Sequence, residues 1–402
     1  MAQRPRRHNL LAVCVPGLEE LVVAELRALG VKNARKDSKG AVTARVSSRE
    51  LYAANMFLRS ATRVYVDAFS FRADTFSLLE RRLKDVDWDP WLDAERSRMS
   101  LRVSSHSSAL FHTGAIEERF RRSLPPSLRS FLPDPLEQRV LVRVERDLFT
   151  IKIDASGEPL HERGWRQQTA KMPLRESVAA AVLQRSGWDP TTPLIDPCCG
   201  AGTLAIEAAL RAIGAPPHAP DRTFALQAWP LFEPGTWASV QAQAEERAHA
   251  ARQATERAHS PLNIVASDRD AGAVAAASAN AQRAGVAELI SFRQASLSEL
   301  APQQAAGPTG TVVSNLPWGL RSAAAGGARG AGGASADLRN LYSSLGRACR
   351  TRLPGWGLAL LVADRALARQ VSPALRSELS LEVGGLRAWL MTRAAWRTNK
   401  RA

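Results

Sequence analysis

The chain has 402 residues, 45% hydrophobic and 23% charged, which is material for two or three ordinary cores and excludes long disorder as the general state. Lys and Arg outnumber Asp and Glu by 54 to 39, a formal charge of +15 that suits a polyanionic partner, most simply nucleic acid. The four cysteines, Cys14, Cys198, Cys199 and Cys349, show no C-x-x-C spacing, which argues against a zinc site or a disulfide framework, and no apolar run approaches the ~20 residues of a membrane span.

Asn9 to Val15 reads as a strand, cut by the Pro16-Gly17 turn. That apolar stretch is too short for a signal peptide, and Glu19-Glu20 follow it, so a reduced, cytoplasmic protein is expected. Leu18, Leu21, Val22, Leu26 and Leu29 recur at helical spacing up to the stop at Gly30. A strand at Ala41 to Val46, a helix at Glu50 to Leu58 and a strand at Arg63 to Phe69 complete a small α+β unit, 1–70. A second unit, 71–168, has helices at Phe76 to Leu83 and Ala115 to Leu124 and a strand at Ser100 to Ser105. It closes with a hairpin of Val140 to Glu145 and Leu148 to Asp154 around Arg146-Asp147, after a loop marked by Pro125, Pro126, Pro133 and Pro135.

Leu160 to Lys171 is a basic connector carrying His161, Arg163, Trp165 and Arg166, and reads either as a track for a nucleic-acid backbone or as a solvated linker. From 169 to 402 the rhythm becomes that of a doubly wound parallel sheet. Short apolar strands at Leu194 to Asp196, Ile264 to Asp268, Val312 to Asn315 and Leu358 to Ala363 alternate with helices such as Leu174 to Gln184 and Gly200 to Ala212. Gln241 to Ala258 reads as a surface helix, and the Ala/Gly/Ser tract Ser322 to Ala336 as a mobile low-complexity insertion rather than a lid.

Two strand ends carry the chemistry. Leu194-Ile195-Asp196-Pro197-Cys198-Cys199-Gly200-Ala201-Gly202-Thr203 is a strand, an acid, a glycine turn and a helix start. Gly200 and Gly202 allow close backbone approach to a nucleotide-like ligand, and the helix amides can bind a carboxylate. Ala205 stands where a dinucleotide fingerprint has its third glycine, and no G-K-[ST] follows, so NAD, FAD and a P-loop are disfavoured. Asp268, ending its strand, can take two ribose hydroxyls or cap the next helix. In Ser314-Asn315-Leu316-Pro317-Trp318-Gly319, the Asn315 amide oxygen and the Leu316 carbonyl can accept both hydrogens of an exocyclic amine. Pro317 would stiffen the backbone there, and Trp318 offers a stacking face; a plain turn with a core Trp is the alternative.

With both turns read, the chain resembles the Rossmann-fold amino-methyltransferases, whose signatures are a D-P-x-C-G-x-G-T turn and an N-P-P-[YFW] turn. Leu160-His161-Glu162-Arg163-Gly164-Trp165-Arg166, followed by Pro173-Leu174-Arg175-Glu176, is similar to the entry of the THUMP-domain RNA methyltransferases. Arg222 to Pro230 resembles an insertion of their subgroup acting on 23S ribosomal RNA, and Leu58 to Val64 and Trp88 to Leu92 resemble the ferredoxin-like and THUMP portion.

The resemblance implies an α/β protein with a Rossmann-like methyltransferase domain behind ferredoxin-like and THUMP units. It implies S-adenosylmethionine as cofactor, RNA (23S ribosomal or transfer RNA) as partner with neither metal nor membrane, and guanosine N2 as the methylated atom. Pro173, Asp196, Cys198, Gly200, Gly202, Thr203, Asp268 and Ser296 would hold the cofactor, and Asn315, Leu316, Pro317 and Trp318 the target base. Three positions depart from the family pattern. Leu316 replaces the first proline, Cys198 stands where Phe is frequent, and Ser296 is the nearest match to an Asp that faces the adenine. The alternatives are a transfer-RNA guanine-N2 methyltransferase, a DNA amino-methyltransferase and a catalytically inactive RNA-binding factor.

Overall fold

The computed structural model describes residues 6–93, 97–124, 136–167, 174–257, 263–300, 309–319, 336–383 and 385–394. They build two compact units, one of Met1–Cys14, Val22–Leu160 and Asp221–Ala242, the other of Val15–Leu21, His161–Pro220 and Gln243–Ala402.

The first unit holds strands β1 (Arg7–Cys14), β2 (Arg35–Ser38), β3 (Ala41–Ser47), β4 (Ala61–Arg72), β5 (Ser97–His106), β6 (Leu136–Glu145) and β7 (Leu148–Asp154) in one sheet of order β2-β3-β1-β4-β7-β6-β5. Only β5 and β6 run parallel. β4 pairs with β1 on one edge and β7 on the other, so one sheet runs past residue 70. Its Val64 and Val66 alternate inward, as a half-buried strand requires. Helices α1 (Glu19–Ala28), α2 (Ser48–Phe57), α3 (Phe76–Lys84) and α4 (Thr113–Ser123) belong to the same stretch of chain. α2 starts where it does because Ser47 and Glu50 form a reciprocal capping box. Arg146 and Asp147, at φ 50° and 62°, make the two-residue hairpin turn expected between β6 and β7.

The second unit carries a seven-stranded sheet. β8 (Leu194–Asp196), β9 (Ile264–Asp268), β10 (Ile290–Gln294), β11 (Thr311–Asn315) and β12 (Gly357–Val362) lie parallel in the order β10-β9-β8-β11-β12. β13 (Arg376–Val383) and β14 (Leu386–Arg393) extend it as an antiparallel hairpin on β12. That hairpin gave no apolar run in the sequence because β13 is largely exposed along its length. Helices α5 (Glu176–Arg185), α6 (Thr203–Ala212), α7 (Pro234–Arg257), α8 (Ala271–Arg283), α9 (Ala336–Arg352) and α10 (Arg365–Val371) follow or separate these strands. The chain winds outward from β8 through β9 to β10, then returns to β11 on the other side of β8. The strand order reverses there, and ligands of open α/β sheets bind at the carboxyl ends of the strands flanking such a reversal.

The insertion Asp221–Ala242 folds with the first unit. It brings Trp229 against Trp91, with ring centroids 5.2 Å apart, and Phe232 and Trp237 against Tyr52 at 5.4 and 5.9 Å. Trp229 Nε1 donates to Gln138 Oε1 at 2.9 Å, and Tyr52 Oη accepts the Glu233 N–H at 2.9 Å. The predicted surface helix Gln241 to Ala258 falls, as far as Arg257, on the continuation of α7; Ala258 lies outside the described residues. Pro173 and most of the Ser322 to Ala336 tract lie outside the described residues, as does the proline-marked loop before the hairpin.

Candidate active site

β8 ends on Asp196, and β11, its neighbour, ends on Asn315. The two motifs, far apart in sequence, are joined by one hydrogen bond: Ser314 Oγ donates to Asp196 Oδ1 at 2.7 Å. Asp196 is buried and also accepts the Cys198 N–H at 3.3 Å. Burial pushes its carboxyl up to about 7, against the opposing pull of the Ser314 and Cys198 bonds; the Asp268 charge adds to the rise.

The glycine turn is fixed from β9. Asp268 accepts the Gly200 N–H at 3.1 Å through one oxygen and the Asp270 N–H at 3.1 Å through the other, while the Cys199 N–H donates to Ser267 O at 3.0 Å. Gly200 and Gly202 have φ of 51° and 85°, in the left-handed region that favours glycine. Gly202 has a packing reason too. A Cβ there would stand 2.9 Å from the Ala277 Cβ of α8. Thr203 opens α6 and is buried. Buried Asn280, on α8, donates to the Ala201 carbonyl at 3.1 Å and so holds the turn from behind.

The Cys198 side chain packs against the apolar core around β11 and β12, and burial raises its thiol well above the ordinary range. A thiol so held is a packing group and no nucleophile. Ser296 follows β10 and caps the short helical turn Leu297–Glu299. Its N–H donates to Glu299 at 2.7 Å and its hydroxyl lies 2.5 Å from that of Ser298. That hydroxyl is engaged locally.

On the acceptor side the polar atoms are left open. Asn315 Oδ1 and Trp318 Nε1 are both buried and have no hydrogen-bond partner. A buried, unpaired acceptor and donor cost stability unless a ligand satisfies them. Leu316 is buried and donates its N–H to Leu361 O at 3.3 Å; Pro317 is exposed.

The described part of the connector, residues 160–167, differs from both sequence-based readings. Arg163 is wholly buried and pairs with equally buried Glu207 of α6 at 3.0 Å. Buried Trp165 donates from Nε1 to Pro217 O at 3.1 Å and accepts from Arg283 at 2.9 Å through its carbonyl. Arg166 pairs with Glu176 at 3.1 Å and donates to Leu174 O at 2.7 Å. Arg163 thus ties the connector to α6, Trp165 to α8 through Arg283, and Arg166 to α5 through Glu176; none of the three is a freely solvated cation or ring.

Residues 163–383, more than half of the chain, match the RMKL-like methyltransferase domain, and residues 9–65 match the RlmL ferredoxin-like domain. The chain belongs to the RMKL-like methyltransferase family. It is an S-adenosylmethionine-dependent methyltransferase. Solved structures resemble this family member over nearly its whole length. A protein from Listeria monocytogenes described as a predicted N6-adenine-specific DNA methylase is 26% identical, with a TM-score of 0.78 and 96% of each chain covered. SMU.472, complexed with SAH, is 25% identical with a TM-score of 0.80, covering 98% of this chain and 100% of its own. TrmN from Thermus thermophilus, 22% identical with a TM-score of 0.68 over 96% of this chain and 99% of its own, shares the fold.

The residues of the RMKL-like domain suit the cofactor. Asp268 presents a carboxylate at the end of β9, and the left-handed Gly200–Gly202 turn opens α6 beside it. Among the described residues there is no group of three or more metal-ligating side chains, and no helix is long and apolar enough to cross a membrane. Sequence reasoning missed Ser314 and Asn280. Ser314 stood inside a quoted motif, but only the pairing of β8 with β11 gives it a partner. Asn280 carried no signal within its Ala-rich helix.

Proposed function

We propose that this enzyme methylates the exocyclic N2 amine of a guanosine in RNA, with 23S ribosomal RNA as the leading substrate and the cytoplasm as its place of work. The observation that carries the reading is the buried, unpartnered Asn315 Oδ1 at the carboxyl end of β11. An amine donates two hydrogens, and the Asn315 oxygen with the Leu316 carbonyl would take both, aiming the nitrogen lone pair. The two oxygens would also stabilise positive charge growing on that nitrogen. Trp318 would stack on the base once it leaves its helix.

S-adenosylmethionine, when bound, would supply a methyl group activated by a sulfonium; the amine nitrogen would take it as the carbon–sulfur bond breaks and would then shed a proton to water. In this reading Asp268 holds the ribose and the Gly200–Thr203 backbone the amino-acid end, with Asp196, Cys198 and Pro173 around them and Ser296 nearest the adenine. The 1–70 and 71–168 segments would dock the RNA ahead of the catalytic segment 169–402. Support for RNA comes from the charge of +15 and the match of residues 9–65 to the RlmL ferredoxin-like domain.

The test is transfer of radiolabel from S-adenosylmethionine into 23S ribosomal RNA of a deletion strain, with mass-spectrometric mapping of its nucleosides. One missing N2-methylguanosine, restored by the protein and lost with Asn315→Ala by ~10²-fold or more, is expected. A deletion strain that keeps every N2-methylguanosine ends the proposal. The description of the Listeria protein favours a second reading, methylation of an adenine amine in DNA, which duplex DNA as the sole acceptor would establish.

A further inference from the structure

The acceptor turn lacks the first proline of the pattern it resembles, so something else must hold Asn315 and Leu316 in place. The structure shows two ties. The Leu316 N–H donates to Leu361 O at 3.3 Å, extending the β11–β12 ladder beyond the Asn315–Leu361 pair. A proline at 316 could make no such bond, because it has no N–H. The second tie comes from α9. The Tyr342 hydroxyl donates to Pro317 O at 3.2 Å.

Tyr342 is fully buried in the cluster that contains Leu316, Leu338 and Leu345. The preceding turn of the same helix reaches the end of the motif. A Cβ on Gly319, at φ 76°, would stand 2.8 Å from Leu338 Cδ2. α9 therefore backs the turn from Leu316 to Gly319. Burial raises the phenol well above its ordinary range, so the hydroxyl is a donor at neutral pH.

We propose that Tyr342 is a positioning residue for methyl transfer: its bond to the Pro317 carbonyl anchors the acceptor turn to α9. This rests on the reading of Asn315–Trp318 as the site that receives the amine. The tie commits the Pro317 carbonyl to α9 and leaves Asn315 Oδ1 and the Leu316 carbonyl to face the substrate. Two hydrogen bonds thus replace the stiffness that a second pyrrolidine ring would give.

Four proteins test it: the natural chain, Tyr342→Phe, Leu316→Pro and the double variant. Each is assayed for radiolabel transfer into total RNA from a strain lacking the gene, for S-adenosylmethionine binding by calorimetry, and for melting temperature. Tyr342→Phe is expected to bind S-adenosylmethionine as the natural chain does while kcat falls about tenfold, the scale of a small misplacement of reacting groups. In the Leu316→Pro background the same change is expected to cost about threefold or less, because the ring now fixes φ at 316.

An unchanged kcat in Tyr342→Phe overturns the proposal. So does an equal loss in both backgrounds, or a loss matched by an equal loss of S-adenosylmethionine affinity. Asn315→Ala, run alongside, separates the two ideas. If it transfers normally the acceptor-turn reading fails; if it is inactive while Tyr342→Phe is normal, only the role of Tyr342 fails.

Discussion

Two segments of the second unit carry similar residues and end differently. The connector offers Arg163 and Trp165, the acceptor turn Asn315 and Trp318. In the connector the fold itself satisfies the Arg163 guanidinium, through Glu207, and the indole of Trp165, through the Pro217 carbonyl. In the turn it leaves Asn315 Oδ1 and Trp318 Nε1 buried and unpaired. Residue type does not separate a brace from a binding surface; the state of its hydrogen bonds does.

Arg163→Ala removes one partner of a buried ion pair with Glu207, so a loss of about 3–5 kcal/mol of stability is expected, read as a fall in denaturation midpoint, with methyl transfer per folded molecule preserved. If the variant instead melts normally but is inactive, the connector is a functional element after all. The two tryptophans give a matched pair. Trp165→Phe strands the Pro217 carbonyl and should cost about 1–3 kcal/mol with little effect on turnover. Trp318→Phe removes an orphaned donor, so it should leave melting unchanged or slightly higher while transfer to RNA weakens. Equal destabilisation by both would erase the distinction.

The last expected effect is a pH slope. Asp196 holds its proton up to about 7 in the fold, whereas an unfolded Asp releases it near ~3.9. The folded chain then binds more protons than the unfolded one between those values, so this group's contribution to stability is lost as pH rises through that window. Melting temperature measured from pH 4 to pH 8 should fall by a few degrees more in the natural chain than in Asp196→Asn. Parallel curves would mean that Asp196 is ionised in the fold.

Much of this was legible in the sequence, for identifiable reasons. Leu194 to Asp196 and Ile264 to Asp268 announced themselves because strands buried on both faces are continuously apolar. The glycine turn was visible because only glycine tolerates the backbone at Gly202. Other features could not be read. The burial of Arg163 could not be read because its partner, Glu207, lies 44 residues on and meets it only in the folded unit. The acceptor turn was readable as a motif, but its supports were not. Leu361 and Tyr342 are ordinary residues of a strand and a helix until packing places them on Leu316 and Pro317.

The aromatic insertion Asp221–Ala242 has a consequence for how the protein is made. The first unit is not contiguous in the chain; it ends at Leu160 and resumes at Asp221. A nascent chain therefore carries Tyr52, Trp91 and Gln138 without their partners until Trp229, Phe232 and Trp237 have left the ribosome. At roughly 5–20 residues per second that is an interval of several seconds, during which an aromatic surface meant for the interior faces solvent.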